Sequence, residues 1–126
     1  MNRSLQTQIG LAVLRIGGAA LMLTHGVPKL QRLFGEDPIE FGDPLGIGAS
    51  PTFFLAVFAE FLCAVFVLIG FKTRWASIPI IITMLVAAFI AHGADPFGSK
   101  EKALLYAVIF TAIFLLGPGA YSVDKK

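Results

Sequence analysis

Four long apolar segments fill most of this chain and leave few choices for its fold. A helix that crosses a bilayer needs about 20 mostly apolar residues, and each segment is close to that length. Arg15, His25 and Glu60 are the only charged or imidazole side chains inside them. Strict alternation, which a membrane barrel needs, is absent. The sequence therefore predicts an all-α, integral membrane four-helix bundle in a single domain (1–126), with spans at about 9–27, 53–71, 75–91 and 103–120.

The composition argues against several other classes of protein. Hydrophobic residues make up 56% of the chain and charged residues 14%, which are too few charges to cover a soluble surface. Intrinsic disorder requires the opposite balance. The single cysteine, Cys63, excludes a disulfide scaffold. A net charge of +2 without a basic cluster indicates that the chain does not bind nucleic acid.

The basic residues favour one orientation in the membrane. The turn Lys72-Thr73-Arg74 is the strongest indication of a cytoplasmic loop, because short cytoplasmic loops are enriched in Lys and Arg. Arg3, Lys125 and Lys126 would lie on the same side, with four basic residues on the other: Lys29, Arg32, Lys100 and Lys102. The sequence thus predicts a multi-pass membrane protein with both termini cytoplasmic and a long outer loop at 28–52.

A short pattern occurs twice along the chain. The first and third segments end in His25-Gly26 and His92-Gly93, and the second and fourth end near Gly70 and Gly117. Two tandem helical hairpins would produce this pattern and would place His25 and His92 at equal depth. Chance similarity between apolar helices would also produce it, because His-Gly is a very short motif.

Arg15 and Glu60 are charges in the apolar interior of their segments, where each costs about 2.5–3.5 kcal/mol on insertion scales. At 1.5 Å per residue, Arg15 lies about 15 Å below His25, and Glu60 lies about 10 Å below the same surface. We therefore expect the two side chains to pair inside the bundle. Such a pair would fix the helix register, mark a functional site, or do both.

Histidines at the outer ends of the first and third segments are further candidate site residues. His25, His92 and Glu60 would suit a metal ion held by two imidazoles and a carboxylate. Two histidines in a helical bundle would also suit haem, which is the least favoured of the three ligands because so short a bundle leaves little room for it. The third ligand is a quinone, whose head group would accept hydrogen bonds from imidazole while Glu60 relays protons. Tyr106 is placed at a similar depth and would complete the polar pocket.

Short motifs follow one another in a fixed order along nearly the whole chain: Leu14-Arg15-Ile16-Gly17, His25-Gly26, Lys29-Leu30, Glu60, Leu68-Ile69-Gly70-Phe71, Thr73-Arg74, Met84, His92, Lys100-Glu101 and 117–124. This ordered set resembles the DoxX family of small bacterial membrane proteins. The resemblance implies a four-helix inner-membrane protein in which Arg15, His25, Glu60 and His92 occupy positions featured in the family pattern. The family's name comes from subunits of quinol oxidase or thiosulfate–quinone oxidoreductase complexes, and some members are linked to oxidative or thiol stress.

Three functions are compatible with these residues. The leading hypothesis is an accessory subunit of a quinone-linked or thiol- and oxidative-stress oxidoreductase assembly, with a ligand pocket drawn from Arg15, His25, Glu60, His92 and Tyr106. The alternative is a membrane scaffold without chemistry that recruits soluble partners through residues 35–50. A small-solute transporter is the third, and four short helices would have to dimerise for alternating access. The residues do not separate an enzyme from a binding protein, and they leave the ligand, the partners and the oligomeric state open.

Overall fold

The computed structural model describes residues 3–35, 43, 45–91 and 94–124, which form four helices in a bundle. Helix α1 spans Arg3–Leu33. Helix α2 consists of Ala49–Val57, a π-helical segment at Phe58–Cys63, and Ala64–Ile69. Helix α3 spans Thr73–Val86 and continues as a second π-helical segment, Ala87–Ala91, and helix α4 spans Phe97–Leu116. The described residues contain no β-strand, so the predicted all-α bundle is confirmed.

Three of the helices are long and apolar enough to cross a membrane, over Ser4–Leu33, Ala49–Ile69 and Thr73–Ile90. The outer surface of the bundle is also apolar. Val13, Val108 and Leu115, for example, are 66%, 68% and 69% exposed. A surface of this kind is stable against lipid chains and would be an aggregation hazard in water.

Helix α4 is less apolar at its start than the other three helices. Lys100, Glu101 and Lys102 fall within its first two turns. The helix ends at Leu116, because Gly117 adopts a φ of 84° and Pro118 cannot continue a helix. It is therefore shorter than the segment predicted to reach about residue 120. Its apolar part, 103–116, falls short of the about 20 residues of a full span.

Helix α1 is longer than the first apolar segment of the sequence. It continues through Pro28 to Leu33, so the outer loop predicted to begin at residue 28 begins after Leu33. Pro28 removes one hydrogen bond from the helix, a loss that packing against neighbouring helices offsets. Arg32 lies 5.0 Å from the ring centre of Phe53, and this contact holds the extension against α2. Half of residues 35–50, the docking loop of the scaffold hypothesis, lies outside the described residues, at 36–42 and 44.

The helices meet through small and branched apolar side chains. Helix α1 packs against α2 and α4, and α3 also packs against α2 and α4. The small residues allow close approach of the backbones, as is common between membrane helices. The most deeply buried members of this core include Ala19, Met22, Ala59, Ala64, Val67, Ile80, Phe110 and Ile113.

The C-terminal segment, 117–124, folds back onto the end of the bundle where α1 begins. The amide oxygen of the Gln8 side chain accepts a hydrogen bond from the backbone N–H of Ala120 at 2.7 Å. The carboxylate of Asp124 accepts the N–H groups of Lys72 and Thr73, each at 3.0 Å. These groups begin α3, so Asp124 caps that helix from a distant part of the chain.

Candidate functional site

A cavity of about 160 Å³ lies between the four helices, in the half of the bundle away from the C-terminal segment. Met22 is 0% exposed and Glu60 4% exposed, whereas Ser99 and Lys102 are exposed at the start of α4. The cavity therefore has a buried end inside the bundle and an accessible end near the start of α4. Its lining residues are Met22, His25, Glu60, Met84, Ala87, Ser99, Lys102, Ala103 and Tyr106.

His25 and Tyr106 form one wall of the cavity. Their rings meet edge to face, with the ring centres 5.6 Å apart and the planes at 86°. Tyr106 is buried and His25 is half-buried. Within the part of the chain that the structure describes, no hydrogen-bond partner reaches the ring nitrogens of His25. The imidazole is therefore held by packing, and its nitrogens are available to a ligand.

Glu60 forms a second wall and is paired with Lys29. The Lys29 Nζ atom lies 2.6 Å from Oε1 of Glu60, and it donates a hydrogen bond there. The Glu60 side chain is 5% exposed and that of Lys29 22% exposed. A carboxylate this deeply buried needs such a partner, because an uncompensated charge is costly inside the bundle.

Both π-helical segments contribute to the cavity. Glu60 lies in the segment at Phe58–Cys63, and Ala87 begins the segment at Ala87–Ala91. A π-helical turn widens the helix, interrupts its regular hydrogen bonding and changes the direction of its side chains. Such turns are rare and occur frequently at functional sites. Their position on two helices that face one cavity marks this region as the candidate site.

Gly26 allows α1 to approach the wall that carries Glu60. A Cβ atom at Gly26 would lie 2.5 Å from the carbonyl carbon of Glu60 and 2.9 Å from the backbone nitrogen of Phe61. Both distances are shorter than real Cβ contacts. A glycine at this position is therefore required for the observed contact between α1 and α2, and this close approach lets Lys29 pair with Glu60.

The chain matches the model of the DoxX family over residues 10–93. It belongs to the DoxX family. The chain is also 31% identical, over 123 residues, to a Haemophilus influenzae protein described only as uncharacterized, and the match covers 92% of this chain and 89% of the relative. No solved structure matches it. The family match includes His25, Lys29 and Glu60 and ends before the cavity residues of α4.

Arg15 of this DoxX protein lies away from the cavity and does not pair with Glu60, so the predicted Arg15–Glu60 pair is wrong. Gly26 is level with Glu60, and at 1.5 Å per residue Arg15 lies about 16 Å from Gly26 along α1. The guanidinium instead donates hydrogen bonds of 2.5–3.2 Å to four backbone carbonyl oxygens, those of Val67, Leu68, Pro118 and Tyr121. Arg15 is 1% exposed and fastens the C-terminal segment to α2.

His92 lies outside the described residues, so its place beside His25 stays a prediction. No group of three or more His, Cys, Asp and Glu side chains is positioned for a metal ion within the described ranges. The metal site of two imidazoles and a carboxylate, and the haem site, both require His92. These two hypotheses therefore stay predictions as well.

Spacing along two helices is the signal that would have identified the remaining site residues. Met22, His25 and Lys29 of α1 are separated by three and four positions, and so are Ser99, Lys102 and Tyr106 of α4. Residues at these spacings share one face of a helix. No site role was predicted for Met22, Met84, Lys29 or Lys102, and both lysines were counted among the basic residues of the outer side.

Proposed function

We propose that this DoxX protein is a quinone-binding accessory subunit of an oxidoreductase assembly, either quinone-linked or devoted to thiol and oxidative stress. The supporting observation is the cavity, in which His25, Tyr106 and Lys102 offer hydrogen-bond donors beside the carboxylate of Glu60. A quinone head group is an apolar ring with two carbonyl oxygens that accept hydrogen bonds. A site between apolar helices also suits a ligand that is dissolved in the lipid phase.

The volume of the cavity suits a single ring. Pockets for drug-sized ligands are about 300–1,000 Å³, whereas this cavity is about 160 Å³. An engineered apolar cavity of about 150 Å³ binds benzene. One quinone ring would therefore fill the cavity with its tail outside, and a porphyrin is too large to enter it.

The Lys29–Glu60 pair supplies a group that can exchange protons with the bound ring. Reduction of a quinone to a quinol takes up two electrons and two protons. Glu60 lines the cavity, and its partner Lys29 is the more exposed of the two, so the pair connects the cavity with the surface. The sequence has no CxxC motif and no glycine-rich dinucleotide loop. We therefore assign the electron-carrying cofactor to a partner subunit.

The proposal includes an orientation in the bacterial inner membrane, with the chain crossing it several times. Lys72 and Arg74 lie at the end of the bundle where the C-terminal segment caps α3. Placing this basic turn in the cytoplasm puts both termini there too. The cavity then lies in the outer half of the membrane, and its accessible end faces the periplasmic side.

Calorimetric titration of the detergent-purified protein with a short-chain quinone tests the proposal. Tyr106→Phe removes the phenol from the cavity, and Glu60→Gln removes the carboxylate charge. Tyr121→Phe is the matched control, because Tyr121 uses only its backbone carbonyl to bind Arg15. One lost hydrogen bond of about 1 kcal/mol corresponds to about a fivefold weaker affinity.

We expect that loss for Tyr106→Phe and unchanged binding for Tyr121→Phe. Glu60→Gln should not weaken the affinity in this way, because an ionised carboxylate and a quinone carbonyl both only accept hydrogen bonds. The proposal is refuted if the unmodified protein binds no quinone, or if Tyr106→Phe binds it as tightly as the unmodified protein does. Extraction of the purified protein with organic solvent, followed by chromatography, gives an independent readout, because a bound quinone should co-purify.

A further inference from the structure

A second set of donors lines the same cavity and indicates a different ligand. Met22 and Met84 present two thioethers, and His25 presents an imidazole. The chain has three methionines, and both of those within the described residues line this cavity. We propose that Met22, His25 and Met84 form a Cu(I)-binding site.

The donor types select the metal. Thioether sulfur is a soft ligand that favours Cu(I), whereas carboxylate, carbonyl and water oxygens suit Mg²⁺, Ca²⁺ and Mn²⁺. Zinc sites use thiolate, imidazole and carboxylate ligands. Two thioethers with one imidazole are uncharged, so they leave the single positive charge of Cu(I) unbalanced. The carboxylate of Glu60 lines the same cavity and is paired with Lys29, so a bound ion would share this carboxylate with the ammonium group.

The placement of the three side chains supports a shared ion. Met22 and His25 are three residues apart and share one face of α1, while Met84 comes from α3. Met22 is 0% exposed and Met84 is 7% exposed, so both residues belong to the buried part of the cavity lining. The imidazole has no hydrogen-bond partner among the described residues and can offer a lone pair.

This site goes beyond the proposed function, because Cu(I) binding does not depend on a quinone. The two ligands do not compete for the same nitrogen atom. An imidazole has two ring nitrogens, and one that coordinates a metal commonly donates a hydrogen bond from the other. His25 has one nitrogen for each ligand, but a single ring fills the cavity, so the ion and the ring compete for space and each is measured without the other.

Competition with the Cu(I) chelator bicinchoninate, under anaerobic and reducing conditions, tests the site on the full chain in detergent. We expect one Cu(I) per chain. Met22→Leu and Met84→Leu replace each thioether with an apolar side chain of similar size, a change that cores tolerate well. Each should lower the affinity by more than the about 10–100-fold that loss of an outer-shell partner costs. The double variant should bind none, and the sulfur signal in the copper X-ray absorption spectrum should disappear with it.

Two control variants keep this test specific. Cys63 is the only thiol of the chain and does not line the cavity, so Cys63→Ala should keep Cu(I) binding. Ile113 is buried in the core outside the cavity, so Ile113→Leu should also keep it and reports on general repacking. Circular dichroism and thermal unfolding of every variant show whether it is folded.

Three results would overturn the proposal: no Cu(I) bound by the unmodified protein, displacement of Cu(I) by equimolar Zn²⁺, or binding lost in Cys63→Ala but kept in the double methionine variant. Tyr106→Phe separates the two proposals. It should weaken quinone binding and leave the Cu(I) affinity unchanged, so either ligand can fail without the other.

Discussion

Gly26→Ala tests most directly how α1 and α2 build the wall of the cavity. The new Cβ atom would lie 2.5 Å from the carbonyl carbon of Glu60, and it would be closer still to the carbonyl oxygen. Real Cβ atoms stay beyond 3.0 Å, and the opposing atoms are backbone. The two helices would therefore have to separate by roughly 1 Å. Overpacking of this kind costs about 1–3 kcal/mol, and the better helix propensity of alanine offsets up to about 1 kcal/mol. We expect a net loss of about 1–2 kcal/mol.

Gly17→Ala is the matched control on the same helix. No atom lies within 4 Å of a Cβ at Gly17, so this variant should gain about 0.5–1 kcal/mol from propensity alone. Unfolding by sodium dodecyl sulfate titration of mixed micelles, followed by circular dichroism, gives the order of stability. Quinone binding should weaken in Gly26→Ala and persist in Gly17→Ala, because only the former displaces Glu60. Equal stability of the two variants would show that α1 and α2 do not approach as closely as described.

Three further substitutions test contacts at both ends of the bundle. Arg15→Lys keeps the charge but offers one nitrogen to four carbonyl oxygens, so we expect the free energy of unfolding to fall by about 2–3 kcal/mol in the same titration. Unchanged stability would show that Arg15 does not fasten the C-terminal segment to α2. Asp124→Asn leaves one acceptor oxygen for two N–H groups, so the protein should lose about 1 kcal/mol of stability and amide hydrogens at the start of α3 should exchange faster. Unchanged exchange would show that Asp124 does not cap α3. Lys29→Gln leaves Glu60 buried without its partner and should lower the free energy of unfolding by about 3 kcal/mol. Adding Glu60→Gln should recover part of that loss, and a double variant no more stable than Lys29→Gln would argue against a direct pair.

The helical architecture was predictable because one physical requirement dominates the sequence. Each apolar segment must satisfy its own backbone in lipid, and only a helix does so within one segment. Helix ends were less predictable. Pro28 was taken as the end of the first helix, but a proline inside a membrane helix is tolerated when neighbouring helices pack against it.

That error at Pro28 explains why the partner of Glu60 was missed. Ending the first span at residue 27 assigned Lys29 to the outer side of the membrane and left Arg15 as the expected partner of Glu60. With α1 continuing to Leu33, Lys29 follows His25 by one helical turn and reaches Glu60. The partner of Glu60 was therefore predicted less well from depth below an assumed membrane surface than it would have been from the helical face that His25 and Lys29 share.

The π-helical segments could not be read from residue types. A π turn and an α turn contain the same apolar residues, and they differ in which carbonyl each N–H reaches. That choice depends on packing between helices, such as the close approach of Gly26 to the Glu60 backbone. The cavity depends on the same packing, so its lining could be predicted only in part, at His25, Glu60 and Tyr106.

Arg15 and His25 show how hydrogen bonding separates a structural polar residue from a site residue. Both were predicted as candidates because polar groups are expensive inside a membrane protein. The guanidinium of Arg15 is fully buried and spends its donors on four carbonyl oxygens, so fastening the C-terminal segment accounts for its presence. The imidazole of His25 has no such partner among the described residues, and it faces a cavity with a buried carboxylate. The half-buried imidazole is open to the cavity and can bind a ligand there, so mutations at His25 should alter binding more than stability.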